Sequence, residues 1–145
     1  MELKFRITAA SPLKLPLEFK TPWLEKLRSG EFKQAKEFLH VGDGYCCLGV
    51  GCEVAGAEWE TSGVNNGLVV HCTEAGSRVM PMRDDFPEAV YAALVQATDA
   101  PQVHTDMEFD NHNELDECAV MDALAAFNDA GASFADIADW IEVNL

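Results

Sequence analysis

The sequence predicts one small α+β domain in which a small antiparallel sheet packs with about four to five helices. Strand patterns at residues 3–8, 68–72 and 78–82 are interspersed with amphipathic helical patterns, which dominate after residue 86. The chain has 145 residues, of which 48% are hydrophobic, and this suits one domain that needs no disulfide or metal for stability. We therefore expect residues 1–145 to form a single domain.

The N-terminal third begins with an alternation of apolar and polar residues. Leu3, Phe5 and Ile7 fall on one side of this alternation, which predicts a half-buried strand. Thr21 and Pro22 predict a helix start, with Thr21 as the N-cap and Pro22 at the first helical position. That helix should end at a glycine at position 30, and residues 31–39 fit either helix or strand.

The middle of the chain is short of charge and rich in turn residues. Residues 46–55 predict a short helix or buried segment. The Asn-Asn-Gly sequence at 65–67 predicts a hairpin turn into a strand at 68–72, and 78–82 is a further strand candidate.

Three helices are expected in the last third of the chain. They cover residues 87–98, 114–129 and 134–144, and Asp85 and Ser133 are the expected caps of the first and the last. The last two helices should pack as an αα-hairpin that closes the core. The final helix carries no basic residue, so we do not expect this hairpin to bind DNA.

Charge is unevenly distributed along the chain. The formal net charge is -15, and the segment from Asp84 to Leu145 holds fifteen acids without a single Lys or Arg. Residues 1–45 carry eight bases and six acids. A field of this sign repels nucleic acid and acidic lipid and attracts basic protein surfaces. We expect a protein partner with a basic surface, no direct nucleic-acid binding and no membrane association.

Cys46, Cys47 and Cys52 form a cluster that admits two interpretations. A thiol at a helix N-terminus can be a nucleophile, and His71 would then be the base, as in cysteine hydrolases. Free cysteine is also a small apolar residue that packs well in cores, and the apolar neighbours favour this second interpretation. Zinc is not expected, because His71 and Cys72 are adjacent and point to opposite faces of a strand.

A polar loop between residues 100 and 113 contains a second group of possible metal ligands. These residues alternate along the chain: His104, Asp106, Glu108, Asp110 and His112. An extended segment would present all of them on one side, which is an arrangement that a divalent metal could use. The segment lacks the glycines and the hydrophobic bracing that hold a preformed site, so we expect a solvated acidic loop and neither metal nor cofactor.

Helical periodicity places several acids of the last two helices on their solvent side. We expect Asp122 and Asp129 to face water, and Asp136, Asp139 and Trp140 to share the outward side of the last helix. An aromatic residue among acids suits a protein-binding hot spot, although a Trp folded over the core edge is an equal alternative. The predicted partner surface consists of Asp106, Glu108, Asp110, Asp122, Asp129, Asp136, Asp139 and Trp140.

Three stretches of the chain resemble a family of small phage and prophage proteins of unknown function. They are residues 23–34 with the pattern Trp-x-x-x-Leu-Arg-Ser-Gly, residues 45–50 with Tyr-Cys-Cys-Leu-Gly-Val, and residues 127–138. The resemblance implies a phage origin and an accessory role, and it carries no catalytic residues with it.

We therefore expect an anti-defence protein of the host cytoplasm, which binds rather than catalyses. It would inhibit a host defence complex, such as a defence nuclease or a nucleic-acid-binding complex, through an acidic surface that mimics nucleic acid. Two alternatives stay open. One is a sponge for a nucleotide signal, and the other is a cysteine hydrolase that uses Cys46 or Cys47.

Overall fold

The computed structural model describes residues 2–57, 59–61, 69–71, 80–99 and 117–145. Within these ranges it has an α+β fold, which confirms the predicted class. The elements follow in the order α1 (Leu17–Ser29), β1 (Lys33–Gln34), β2 (His40–Val41), β3 (Gly44–Tyr45), α2 (Cys47–Val54), β4 (Glu60–Thr61), β5 (Val69–His71), α3 (Glu88–Val95), β6 (Ala97–Asp99), β7 (Glu117–Ala119), α4 (Val120–Ala130) and α5 (Phe134–Asn144). A single 3-10 turn, Arg83–Asp85, precedes α3.

The strands are two or three residues long and form two sheets in the described part of the chain. The larger sheet has the strand order β1-β3-β2-β5-β4, and the smaller one pairs β6 with β7. All of these pairings are antiparallel except that of β1 with β3, which is parallel. The predicted antiparallel sheet is therefore correct for most pairings and wrong for β1.

The N-terminal segment lies beside the smaller sheet. Ile7 makes an isolated antiparallel bridge with Thr98, and the Asp99 N–H donates to the Arg6 carbonyl at 2.9 Å. Leu3 and Phe5 are buried, as the alternation predicts. The segment follows the expected pattern of burial but forms one bridge rather than a strand.

The first helix starts earlier than its sequence predicts. α1 begins at Leu17 after Pro16, so Thr21 and Pro22 lie inside it rather than at its start. The extra turn buries Phe19, whose ring contacts the rings of Trp23 and Phe86. Burial of this aromatic side chain outweighs the local preference of the Thr-Pro pair for the first positions of a helix.

Later helix boundaries are a mixture of agreement and difference. α5 covers Phe134–Asn144 as predicted, with Ser133 as its cap. α3 ends at Val95 because residues 97–99 form β6, and its N-cap is Pro87 rather than the expected Asp85. The helix predicted from residue 114 begins at Val120, since residues 117–119 pair with β6 as β7.

The core lies where α2 packs between α1 and α4. α5 packs against both α1 and α4, which confirms the αα-hairpin of the last two helices and brings the basic first helix beside the acidic last one. Within the described residues, no helix combines the length and apolar character that crossing a bilayer requires.

Candidate functional site

The cysteine cluster is part of the core. Cys46, Cys47 and Cys52 are all buried. Cys46 is the N-cap of α2, where its Sγ accepts a hydrogen bond from the Gly49 N–H at 3.4 Å. Burial raises the pKa of the Cys46 thiol to about 12 and raises that of Cys47 as well. Both groups are buried and have raised pKa values, the opposite of what a nucleophile requires.

The partners predicted for these cysteines are not among the side chains that the structure describes. The side chain of His71 and the whole of Cys72 lie outside the described residues. Among the side chains that are described, no group of three or more His, Cys, Asp and Glu is placed to hold a metal ion. The described geometry therefore supports the packing interpretation of Cys46, Cys47 and Cys52.

Asn128 is the centre of a buried hydrogen-bond network. It is 1% exposed. Its Oδ1 accepts from Gln34 Nε2 at 2.9 Å and from the Cys47 N–H at 3.2 Å, and its Nδ2 donates to the Ala35 carbonyl at 2.8 Å. Gln34 also donates to the Ala132 carbonyl at 2.7 Å. The network joins the segment after α1, the start of α2 and the end of α4.

The three stretches that carry the phage-protein resemblance meet at this network. Gln34 belongs to the first, Cys47 to the second, and Asn128 to the third. Trp23 of the first stretch adds a bond from its Nε1–H to the Cys47 carbonyl at 3.1 Å. A Cβ at Gly49 would overlap the backbone of Leu39. These contacts give residues of all three stretches a part in the packing of the core.

Two of the predicted surface acids cap helices. Asp122 accepts from the Ala119 N–H at 3.3 Å at the start of α4, and burial raises the pKa of this carboxyl. Asp136 accepts from the Ser133 N–H at 3.3 Å, while Ser133 Oγ accepts from the Asp136 N–H at 3.1 Å. This reciprocal pair is a capping box. Asp122 is half-buried, which corrects the prediction that it faces water.

Asp129 has an internal role as well. Its Oδ1 accepts from the Glu37 N–H at 3.0 Å and from Asn128 Nδ2 at 3.3 Å. Glu37 has a φ of 72°, in the left-handed region that few residues other than glycine adopt. The carboxylate therefore fixes a strained turn beside the buried network, and Asp129 is half-buried rather than fully exposed as predicted.

Basic residues of the N-terminal third hold α5 in place. Arg28 donates to Asp139 at 2.8 Å and to Glu142 at 3.2 and 3.4 Å. Lys20 Nζ donates to the Glu142 carbonyl and Lys14 Nζ to the Asn144 carbonyl, both at 3.0 Å. Cations at a helix C-terminus are favourable because they meet unpaired carbonyls and the negative end of the dipole. Folding thus brings together the opposite charges that the sequence keeps apart.

Trp140 is buried, which contradicts the outward orientation predicted for it. It is 6% exposed, and its ring stacks on that of Phe5 with centroids 4.1 Å apart. Its Nε1–H donates to the Phe5 carbonyl at 3.2 Å. Packing of the last two helices alone would leave this side of α5 exposed, but the N-terminal segment covers it. The alternative of a Trp folded over the core edge is therefore correct.

A groove runs between the N-terminal segment and the outer side of α5. We call it the acidic groove, and its volume is about 490 Å³. It is lined by Glu2, Leu3, Asp136, Asp139, Trp140, Val143 and Asn144. Val143 is 77% exposed, and no positively charged side chain is among these lining residues. The groove therefore combines three carboxylates with an apolar surface.

The acidic groove includes three of the predicted surface residues and adds others. Asp136 and Asp139 lie together in it, as the periodicity of α5 predicts, and the buried Trp140 also lines it. Glu2 and Leu3 were missed because they are more than 130 residues away in sequence. Asp106, Glu108 and Asp110, with the whole loop from His104 to His112, lie outside the described residues.

An aromatic cluster beside the larger sheet is a further feature that sequence reasoning missed. The rings of His40 and Tyr45 stack with centroids 3.7 Å apart, and Phe32 and Trp59 pack edge-on around them. His40 Nδ1 lies 2.6 Å from the Gly44 carbonyl, and this contact requires a proton on Nδ1. These contacts fix β2 against β3 and are structural.

Comparison with known protein families gives a match over most of the chain. Residues 15–145 match a family model whose description is Domain of unknown function (DUF8296). The match begins after the N-terminal segment that forms one wall of the groove. No curated protein and no solved structure matched the chain.

Proposed function

The chain belongs to the family described as Domain of unknown function (DUF8296), and we propose that it is a phage accessory protein that binds and inhibits a host protein with a basic surface. The observation that carries the proposal is the acidic groove, which joins Glu2, Asp136 and Asp139 to the exposed side chain of Val143. The phage origin rests on the resemblance of the three stretches, which all contribute to one buried network.

The groove supplies the two components that a charged interface needs. Val143 offers apolar area that a partner can cover, and this is the role first assigned to Trp140. The carboxylates attract a basic partner over about one Debye length, ~8 Å at physiological ionic strength. The volume of the acidic groove, about 490 Å³, lies within the range of about 300–1,000 Å³ typical of ligand sites. The groove can therefore take a few side chains of a partner, rather than a whole domain.

The nucleic-acid-mimicking surface that we propose is smaller than the sequence predicts. Asp122 and Asp129 hold α4 and a turn in place, so that Asp136 and Asp139 in the groove are the acids of the last two helices that remain in the proposed surface. Asp106, Glu108 and Asp110 remain proposed contributors from the loop. The proposed partner is a nuclease or another nucleic-acid-binding component of a defence complex in the host cytoplasm, because such proteins present basic surfaces.

Neither alternative function gains support from the described residues. A nucleotide sponge needs a basic pocket, but six of the eight bases in the first 45 residues already contact acids or carbonyls and are spread along the chain. A cysteine hydrolase needs a thiolate, and burial raises the pKa of both candidate thiols. We therefore propose binding rather than catalysis.

Site-specific cross-linking tests this proposal. A photoreactive amino acid at Val143 should form a covalent adduct with a basic host protein in lysate, and mass spectrometry would identify that protein. The matched control is the same group at Met82, which is 54% exposed and lies outside the groove. The adduct at position 143 should decrease steeply as salt is raised.

Charge reversal supplies the second arm of the test. Glu2→Lys lies in the groove, whereas Glu25→Lys changes the net charge by the same amount on an exposed face of α1. The first should weaken binding of the captured protein more than the second. Equal effects of the two variants, or equal adducts at positions 82 and 143, would reject the groove as the binding site.

A further inference from the structure

Residues 2–8, the N-terminal segment, are joined to the rest of the chain by a hinge, residues 9–12. We propose that two copies of this chain exchange their N-terminal segments, so that the segment of each copy docks on the other and a two-fold symmetric dimer forms. The interaction surface is the one that the segment already covers, and the partner is a second copy of this chain. This inference goes beyond the proposed function and does not depend on it.

The side chains of the N-terminal segment dock in one place. Leu3 and Phe5 are buried, and the Phe5 ring stacks on those of Phe127 and Trp140, with centroids 5.4 and 4.1 Å apart. The Trp140 Nε1–H donates to the Phe5 carbonyl at 3.2 Å. Apolar burial with a directed hydrogen bond recognises this segment whichever copy it comes from.

The backbone of the segment adds to the edge of the smaller sheet. The Thr8 N–H donates to the Ala97 carbonyl and the Asp99 N–H donates to the Arg6 carbonyl, both at 2.9 Å. The Arg6 guanidinium also pairs with the Asp99 carboxylate at 3.1 Å. Addition of an extended segment to a sheet edge is a common mode of association between chains, because main-chain hydrogen bonds form equally well within and between molecules.

The hinge lies between two fixed points. Before it, Thr8 is bonded to β6. After it, Gln96 holds Leu13 in both directions, since Gln96 Nε2 donates to the Leu13 carbonyl and the Leu13 N–H donates to Gln96 Oε1, both at 2.8 Å. Residues 9–12 take part in no hydrogen bond within the part of the chain that the structure describes. Release of the segment therefore breaks its own contacts and leaves the chain anchored from Leu13 onward.

The sequence of the hinge favours an open form. Its backbone bends at Ala10 and Ser11, and both residues are exposed. Pro12 biases the residue before it toward extended backbone. An extended hinge carries the segment away from its own docking surface, and a second copy offers the same surface to it. Exchange therefore requires no complementary surface beyond the one already present.

The balance between the two forms depends on the hinge and on charge. The contacts of the docked segment are the same in both forms and cancel. A short tether gives a segment an effective concentration in the millimolar range, so the dimer of the natural chain should appear at about millimolar protein. Each copy carries a formal net charge of -15, and salt screens the repulsion between them. The dimer should therefore increase with salt, whereas binding of a basic partner should decrease.

Exchange would also change the composition of the acidic groove. Glu2 and Leu3 form one wall of the groove, and the other lining residues belong to α5. In the swapped dimer, Glu2 and Leu3 of one copy would line the groove of the other. Each groove would then be complete only with residues from both copies.

An engineered disulfide reports the copy on which the segment docks. Ile7 and Thr98 form an antiparallel pair without hydrogen bonds to each other, and such pairs have Cα atoms ~4.5 Å apart. That separation suits a disulfide. The variant carries Ile7→Cys and Thr98→Cys, together with Cys118→Ser because Cys118 Sγ lies 3.3 Å from Thr98 Oγ1.

The experiment mixes isotope-labelled and unlabelled full-length variant in the reduced state, at dilute and at about millimolar concentration. The samples are oxidised, separated by gel filtration, digested and analysed by mass spectrometry. The dimer should contain disulfides between a labelled position 7 and an unlabelled position 98, and the monomer only disulfides within one label. A dimer with same-label disulfides alone, or monomer alone at every concentration, would overturn the inference.

Hinge stiffness supplies the second arm, with the cysteines unchanged. Ala9→Pro with Ala10→Pro stiffens the hinge and breaks no hydrogen bond that the structure describes, and Ala9→Gly with Ala10→Gly is the flexible variant of equal length and charge. Sedimentation velocity should place the dimerisation midpoint of the first at about tenfold lower protein concentration than that of the second.

Equal midpoints in the two hinge variants would overturn the role of the hinge. The natural chain provides a test that needs no substitution, because its dimer should increase with salt. A dimer that decreases with salt, or does not change, would assign self-association to attraction between charged surfaces and reject exchange of the N-terminal segment.

Discussion

Asn128 and Cys47 are 81 residues apart in sequence and are joined by a buried hydrogen bond of 3.2 Å from the Cys47 N–H to the Asn128 Oδ1. The same amide group also accepts from Gln34 and donates to Ala35 and Asp129. Its four partners therefore lie at the end of β1 and the residue after it, at the start of α2 and in the last turn of α4. A fully satisfied buried amide specifies how the surrounding elements must meet, because each alternative arrangement leaves a polar group unpaired.

Replacement of Asn128 should destabilise the protein strongly. Asn128→Leu would leave the buried Cys47 N–H and the part-buried Ala35 carbonyl without this partner, at roughly 1–3 kcal/mol each. We expect a loss of about 3 kcal/mol in the free energy of unfolding, measured by urea denaturation. Asn144→Ala, which removes a bond to the Trp140 carbonyl near the end of α5, should cost much less. Similar losses in both variants would contradict the central role of Asn128.

Gly49 should tolerate no larger residue. A Cβ at this position would overlap the Leu39 carbonyl oxygen and lie 2.7 Å from its carbonyl carbon, and the neighbour is backbone that cannot rotate away. Gly49→Ala should therefore prevent stable folding, as seen by the loss of a cooperative thermal transition. The comparison is Gly42→Ala, where φ is 59° and nothing lies within 4 Å, so that only about 1–2 kcal/mol is expected. A normal melting curve for Gly49→Ala would show that α2 can move away from Leu39.

Local features of the fold could be predicted from sequence. The Ser133 cap and the limits of α5 depend on neighbouring residues, and the structure confirms them. The start of α1 was predicted wrongly. Thr21 and Pro22 locally favour a helix start, whereas the burial of Phe19 in the extra turn depends on the distant Phe86. The parallel pairing of β1 with β3 was missed because a strand of two residues is too short to show an alternating pattern in the sequence.

The candidate site shows the same division. The helical period places Asp136 and Asp139 on one side of α5, and the structure brings both into the groove. Trp140 was assigned to the surface because the helical wheel considers only the apolar stripe of α5. Phe5, which covers Trp140, and the opposite wall with Glu2 and Leu3 come from the other end of the chain, and no local pattern reveals them.

The buried cysteines predict a loss of stability at alkaline pH. Burial raises the pKa of Cys46 to about 12 from an unfolded value near 9.0. Below the pKa of the unfolded chain the thiol is protonated in both states, and its contribution to stability is fully present. Between the unfolded and the folded pKa only the unfolded chain releases the proton, which favours unfolding. The free energy of unfolding should then fall by about 1.4 kcal/mol per pH unit for each such thiol above pH 9.

Urea titrations at pH 8, 9 and 10 would measure this loss. Cys46→Ala should make the free energy of unfolding fall less steeply with pH, because one of the titrating thiols is removed. Alkylation at pH 8, read by peptide mapping, should leave Cys46 and Cys47 unmodified until the protein unfolds. Rapid modification of either residue in the native state would contradict its burial and would restore the cysteine hydrolase as a candidate.

Trp140 should contribute to stability and not directly to partner binding. Its ring stacks on Phe5, and its Nε1–H donates to the Phe5 carbonyl, so that it fastens the N-terminal segment onto α5. Trp140→Ala should cost roughly 3–5 kcal/mol in the free energy of unfolding, as for other large aromatic side chains removed from a core. Trp140→Phe keeps a ring and loses the hydrogen bond, so the expected cost is smaller, about 1–2 kcal/mol.

Val143 should contribute to partner binding and not to stability, the opposite of what we expect for Trp140. It lies three residues further along α5 in the same groove and is 77% exposed, so Val143→Arg should leave the melting temperature almost unchanged and abolish capture of a basic partner. Thermal melting and binding kinetics on the same two variants separate the roles. If Trp140→Ala melts like the unmodified protein but loses the partner, the indole is a contact residue after all, and the packing of the N-terminal segment does not depend on it.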